Sequence, residues 1–417
     1  MGRKFLSFLG TGNYNDCCYY YGSKKVNTKY VQRALLDIFC QDWEADDETI
    51  IFLTNEAKEK HWDPNLKEEL LSQNYPFKIV EKNISIGKNI EEIWDIFKKL
   101  LEVLEEKDEV IFDITHAFRS IPMLGLVVLN FAKATKNIKL SGIYYGAYES
   151  RNSDNEAPIF DLTEFDKLLE WSYAINSFVH SGESKFIYHI VNNEKKNDNN
   201  LKIANKFAKT LKTFTDTIHT CKGIVLDDDE KSVYGSYNKM KEALIELKEK
   251  NNLPILDKLF NQIDRKTKIF DGCNDNLSMG INYIKWCIKH DLVQQGYTAL
   301  NETIKTYICV LNGLDDVNKE YREDVAAKAM AVYRKNEEEW EIKEKYREMI
   351  KKVIETTPKE LFKIYNSITS SRNDINHFGF TDEKARRKVS VIKKELEKKF
   401  KEFEKIVNET SLVVDPQ

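Results

Sequence analysis

The sequence predicts a doubly wound α/β domain followed by an all-helical C-terminal part. Two observations predict this. Up to about residue 150, short apolar runs such as 49–54 (TIIFLT) and 109–113 (EVIFD) alternate with amphipathic helical patterns. Beyond Leu162 the strand signals nearly vanish and helical periodicity takes over. A chain of 417 residues exceeds what one hydrophobic core serves, so two or three domains are expected. The boundaries are set at 1–161 for the α/β domain, 162–275 for a helical connector and 276–417 for a second helical domain.

In order, residues 4–10 (KFLSFLG) form a strand that ends in Gly10-Thr11-Gly12-Asn13. Residues 27–41 are helical, with Val31, Leu35, Ile38 and Phe39 as the apolar stripe. Strands follow at 49–54 and 77–81, then a helix at 89–104 that turns Ile93, Ile96, Phe97, Leu100 and Leu104 inward. Residues 109–113 are a buried strand, 119–133 a helix opened by Pro122, and 138–145 the last strand. Helices are then expected at 162–179, 203–220, 239–250, from about 277, 299–311, 324–335, 339–356, 358–371 and 382–407. The last is rich in Lys, Arg and Glu, a solvated helix with Val389, Ile392, Leu396, Phe400 and Phe403 on its apolar face.

Composition narrows the function. The chain is 41% hydrophobic and 32% charged with a net charge of −4, so it is no general electrostatic magnet for nucleic acid, and any RNA contact must come from a local patch. No apolar run approaches the roughly 20 residues that span a bilayer, and the N-terminus has no signal-peptide pattern, which predicts a cytoplasmic protein without membrane contact. The 7 cysteines match neither a zinc spacing nor a disulfide framework and are read as reduced thiols; no metal site is expected.

Chemistry-bearing residues cluster at the expected C-terminal ends of the strands, where doubly wound sheets bind ligands. These are Gly10, Thr11, Gly12, Asn13 and Tyr14; Thr54, Asn55 and Glu56; Gly87 and Lys88; Asp113, Thr115, His116 and Arg119; and Tyr145 with Gly146. Hydroxyls, amides, two cations and helix N-termini favour phosphate, and the tyrosines offer stacking surfaces, so a phosphorylated nucleotide is the expected ligand class. A dinucleotide cofactor is disfavoured, because the third glycine and the acidic residue some 20 positions on are missing after the first strand. The purely structural alternative has Asp113, Thr115 and His116 capping the next helix, with Asp113 orienting its neighbour rather than touching ligand and Gly12 serving only as a turn glycine.

A second constellation is Arg372-Asn373-Asp374-Ile375-Asn376-His377. Histidine can shuttle a proton near neutral pH and arginine can hold a phosphate and its developing charge, so the pair can cut RNA without a metal. On a straight helix the two residues are offset by more than about 100°. The structural alternative is an Arg372 ion pair with Asp374 or Glu383, and a buried or interfacial His377 bonded to a carbonyl. Trp286, Tyr307 and Trp340 are read as core or interface, and the 386–399 run as a solvated helix face.

Asp113-Ile114-Thr115-His116-Ala117-Phe118-Arg119-Ser120, with Gly10-Thr11-Gly12-Asn13 and the Ile143-Tyr144-Tyr145-Gly146-Ala147 strand end, resembles the D-x-T-H branch of the CARF domain proteins, the CRISPR-associated Rossmann fold. That family joins CARF to a C-terminal HEPN ribonuclease domain with an R-x-x-x-x-H signature, which Arg372 and His377 match; the usual Gly after the His is Ala117 here. The resemblance implies an accessory effector of type III CRISPR immunity with a functional link to its effector complex. It implies a homodimer or higher homo-oligomer, activation by cyclic oligoadenylate bound by the N-terminal constellation, and cleavage of single-stranded RNA through the 2′-hydroxyl. The two-fold symmetry of a four-membered ring favours cyclic tetra-adenylate over hexa-adenylate. Arg372 and His377 would be catalytic with Asn373 as helper, in a cleft shared by two protomers, and slow cleavage of the activator by the CARF domain is an open expectation. The alternatives are a ligand-sensing interaction protein whose HEPN half only dimerises, and a nicotinamide-dependent enzyme, disfavoured by the missing fingerprint.

Overall fold

The computed structural model describes residues 2–116, 121–193, 199–250, 255–380, 383 and 386–411. The chain divides into two compact units, Met1–Leu169 and Glu170–Gln417.

The first unit is built on an eight-stranded mixed sheet. Its elements run β1 (Arg3–Leu9), β2 (Cys17–Tyr21), β3 (Lys24–Thr28), α1 (Val31–Phe39), β4 (Glu48–Leu53), α2 (Asn55–Ala57), a π-helical stretch (Lys58–Leu66), α3 (Lys67–Leu71), β5 (Lys78–Asn83), α4 (Ile90–Glu102), β6 (Glu109–Asp113), α5 (Ile121–Lys136), β7 (Lys139–Gly146) and β8 (Glu156–Asp161). The strand order is β3-β2-β8-β7-β6-β1-β4-β5. From β5 to β7 the pairing is parallel, and β8 returns antiparallel to β7. Along β1, alternate side chains serve opposite faces: Phe5 and Leu9 pack towards α1 and the π-helical stretch, Leu6 and Phe8 towards α4 and α5. Two-sided burial is why β1, β4 and β6 read as continuous apolar runs.

The expected α/β class holds, with corrections to its elements. The helix expected over 27–41 begins only at Val31, because Asn27 and Thr28 belong to β3. The β2–β3 hairpin turns through Gly22 at φ +59; β2 (CCYYY) alternates buried Cys17 and Tyr19 with half-exposed Cys18 and Tyr20, and β3 (KKVNT) is mostly polar, so neither reads as a continuous apolar run. Residues 138–145 are not the last strand. β8 follows, disguised by Pro158, whose missing N–H argues against an interior strand.

In the second unit the described elements are helical. α6 (Thr163–Ser181) contains the boundary between the units. It is followed by α7 (Lys185–Asn193), α8 (Asn199–His219), α9 (Val233–Lys250), α10 (Ile255–Thr267), α11 (Asn276–Lys289), α12 (Val293–Leu311), α13 (Lys328–Val332), α14 (Arg347–Thr356), α15 (Lys359–Asn376) and α16 (Val389–Ser411). Small residues bring the central helices close: a Cβ on Gly280 would lie 2.3 Å from Thr303 of α12, and one on Gly296 would lie 2.7 Å from Leu396 of α16. The helix expected over 339–356 starts at Arg347, after two short 3-10 turns. The one expected over 382–407 starts at Val389, because Arg387 is tied by its backbone N–H to Asp374 on α15.

Candidate functional site

β1 is flanked by β4 on one side and β6 on the other, so the direction of winding reverses there. Ligand crevices of doubly wound sheets open at such a switch point. A cavity of about 500 Å³ lies there, walled by Gly10–Asn15 after β1, Thr115 and His116 after β6, Tyr19, Lys29, Tyr148 and Glu149.

The β1 loop is shaped by hydrogen bonds to its own backbone. The Gly10 N–H donates to Tyr14 Oη at 3.0 Å, which donates back to the Gly10 carbonyl at 3.2 Å. Lys60 Nζ reaches the Thr11 carbonyl at 2.7 Å, and His61 Nε2 donates to the Gly12 carbonyl at 2.7 Å. Both come from the π-helical stretch, which Lys58 and the Trp62 indole anchor to Glu81 on β5. A Cβ on Gly10 would meet the His116 carbonyl at 3.2 Å, whereas one on Gly12 would meet nothing. Gly10 is therefore required for close approach, and Gly12 is not.

The Tyr14 ring sits edge-on between two imidazoles, His61 and His116, each at a centroid distance of 4.6 Å. His116 Nε2 is buried and has no hydrogen-bond partner among the described residues. Burial and the neighbouring His61 push the His116 pKa down to about 4, so it is neutral at pH 7. Its ring lines the cavity as a neutral imidazole.

Asp113 does not wall the cavity. It is fully buried, accepting from Ser7 Oγ at 2.6 Å and from the Thr115 N–H and Oγ1 at 2.9 and 2.6 Å. Thr115 Oγ1 in turn accepts the Gly146 N–H at 2.9 Å. This chain stitches β1, β6 and β7 together at the floor, and burial raises the carboxyl's pKa. Gly146 is a packing glycine, since a Cβ there would lie 2.3 Å from Val31 Cγ2.

The remaining described residues of the expected ligand set do not line the cavity. Thr54 caps α2 through Ala57 N, and Asn55 bonds Asn83, while Glu56 is exposed. The N–H groups of Gly87 and Lys88 donate to Glu92 as part of the α4 cap, at 2.8 and 3.0 Å. Tyr145 stacks on Phe160, and Tyr148, three residues on, reaches the cavity instead. Arg119 lies outside the described residues. Sequence reasoning missed Lys29 and Tyr148, which wall the cavity, and His61, which holds the Gly12 carbonyl. Lys29 directly follows β3 and His61 lies within the π-helical stretch, and neither segment carries a motif.

In the second unit, α15 runs unbroken through Arg372 and Asn373 to Asn376, with His377 as its C-cap. The His377 N–H bonds the Asn373 carbonyl at 2.8 Å, and the Gly379 N–H closes the end on the Asp374 carbonyl at 2.9 Å. The buried face is fixed by Glu395 of α16, which accepts from Ser367 Oγ at 2.5 Å and Ser371 Oγ at 3.0 Å and pairs with Arg387. Buried Asp374 accepts the Arg387 N–H at 3.2 Å. Among the described residues no carboxylate pairs with Arg372, and its Nε is buried without a partner. Its charge is felt by Cys221, just beyond α8. His377 and Asn373 are exposed, and Asn376 lies 3.5 Å from Gln294 of α12. Five residues of helix set Arg372 and His377 roughly 140° apart about the axis.

Residues 4–149 match the family described as CRISPR system endoribonuclease Csx1, CARF domain. This places the cavity inside a region similar to that domain. The chain is also 29% identical over 249 residues to the CRISPR-associated protein MJ1674 of Methanocaldococcus jannaschii, covering 57% of this chain and 35% of that protein. The chain thus spans about a third of the length of this curated relative. No described helix is long and apolar enough to cross a membrane.

Proposed function

We propose that the chain is a cyclic-oligoadenylate-activated endoribonuclease of type III CRISPR defence, with residues 1–161 as sensor, 162–275 as connector and 276–417 as HEPN nuclease. One observation carries the catalytic half: a guanidinium whose buried N–H has no partner among the described residues and an exposed imidazole share the end of one helix. A buried donor without a partner costs roughly 1–3 kcal/mol, a cost that a bound phosphate removes. The angular offset fits a cleft in which two copies each bring one helix end to the RNA.

In that cleft the RNA 2′-hydroxyl attacks phosphorus, forming the O2′–P bond as the P–O5′ bond breaks. His377 takes the 2′-proton or delivers one to the leaving 5′-oxygen, and Arg372 steadies the phosphorane. The products are a 2′,3′-cyclic phosphate and a 5′-hydroxyl, and DNA is spared. The sensor reading rests on the switch-point cavity within the Csx1-like region, with Lys29 supplying charge and Tyr14 and Tyr148 supplying ring surface. An exposed apolar stripe on α4 and α5 (Ile90, Trp94, Met123, Val127 and Phe131) suits pairing with a second copy across this unit.

The test is cleavage of a fluorescent single-stranded RNA reporter in EDTA, with and without cyclic tetra- and hexa-adenylate. Wild type should cut only with a ring present, and His377→Ala should cut about 100-fold to 10,000-fold more slowly. Lys29→Met should raise the ring concentration needed for half-activation and leave the maximal rate alone. Ring binding without any cleavage would make the chain a sensor only, and cleavage that survives His377→Ala would remove that residue from the mechanism.

A further inference from the structure

The turn after His377 carries two aromatic side chains that the reaction above does not use. Phe378 and Phe380 are 88% and 83% exposed, more than any other aromatic residue described. Phe378 has φ +58, the left-handed position at a helix end that glycine fills at least cost. Most of the other non-glycine residues with positive φ are Asn or Asp, and Phe378 is the aromatic among them. Gly379 beside it, also at positive φ, has no described residue within 4 Å of where a Cβ would be. The fold thus holds a ring outward in a conformation that does not favour it.

The two rings are 21° from parallel with centroids 6.4 Å apart. The stacked pairs Phe39–Tyr144 and Tyr333–Phe362, each with one buried and one half-buried ring, close to 3.8 and 4.2 Å. The exposed pair is not closed face to face in this way, and its spacing approaches two base-stacking steps of about 3.4 Å each. The surrounding exposed residues are polar: Asn373, Asn376 and His377. Two rings in a polar setting are too little for the core of a protein interface, which needs about 800 Å² per partner. They are the size of one nucleobase.

Resting on the nuclease reading, we propose that Phe378 and Phe380 form a base-stacking platform for the RNA nucleotide beside the phosphate held by Arg372 and His377. Stacking accepts any base face, so the platform adds affinity and register with little sequence choice.

The test uses full-length protein with both cyclic oligoadenylates and an uncleavable 2′-O-methyl RNA 12-mer carrying 2-aminopurine. Phe378→Gly suits the left-handed backbone and Phe380→Ser is an exposed change, so both variants should fold. Wild type should bind and quench the fluorophore, and each variant should weaken binding about tenfold with less quenching. Light scattering should give the same mass for all three proteins. Equal affinity and quenching in the variants, or no binding by wild type, overturns the platform. A variant that loses its oligomeric state also overturns it, in favour of a contact between copies. RNA cleavage measured in parallel separates the two readings: ring-dependent binding without cleavage keeps the platform and removes the nuclease, whereas cleavage with an unchanged KM in both variants does the reverse.

Discussion

The switch-point cavity and the end of α15 are built in opposite ways. Around the cavity, polar groups are tied into the sheet: Asp113 joins Ser7 to Thr115, Thr115 holds Gly146, and Lys60 and His61 hold the β1 loop. His116 Nε2 is the exception, buried with no hydrogen-bond partner among the described residues. At the end of α15 the supporting residues Ser371 and Asp374 are buried and bonded, while His377 and Asn373 project into solvent. The first site is a half-open cavity whose walls are tied into the sheet. The second is a rigid mount presenting reactive groups outward, an arrangement suited to completion by substrate and a second copy.

The largest test of this contrast is Arg372→Lys. It keeps the charge but loses the planar fork, and the expected result is a fall of about a hundredfold in RNA cleavage with unchanged ring binding. Near-full activity would mean that charge alone is required, and loss of ring binding would break the separation of the two sites.

Gly146→Ala comes next. The new Cβ overlaps Val31, and overpacking of this kind costs about 1–3 kcal/mol. The melting temperature should fall, and a second change, Val31→Ala, should restore most of it. Ring affinity should follow neither change. Lost affinity at full stability would return Gly146 to the ligand contacts.

The smallest effect is a pH dependence. The His116 pKa is held at about 4, below the ordinary histidine value of about 6.5, and that of His61 is lowered by burial in the same direction. Between those two pH values the unfolded chain binds a proton that the folded chain refuses. The stability from a neutral His116 is therefore complete above about pH 6.5 and is lost as pH falls towards 4. His116→Phe should shrink the drop in melting temperature between pH 7 and 4.5 by about 3 °C. An unchanged drop would mean that the imidazole is solvated in the folded state.

Much of this was legible from local pattern. The apolar runs of β1, β4 and β6 announced a sheet buried on both faces, and Gly10–Tyr14, Thr115 and His116 were correctly expected to gather at one lip. The short hairpin β2–β3 and the proline-bearing β8 were not legible, because edge pairing and register carry no periodic signature in the chain. Thr54–Glu56, Gly87 and Lys88 are polar residues at strand ends like the cavity residues. Distance from the β1–β6 seam, a tertiary property, left them to capping and solvent.

The sequence by itself determined the local chemistry: strands from β-rich runs, helices from 3.6-residue periodicity, and a motif whose residue types can hold phosphate and move a proton. Tertiary structure decided where that chemistry is aimed. It turned Asp113 inward, brought Lys29 and Tyr148 from separate segments to the cavity, and left Arg372, among the described residues, without a carboxylate. The physical reason is that side-chain type and helical period are local quantities, whereas burial and hydrogen-bond partnership depend on segments that meet only after the sheet and the helices have packed.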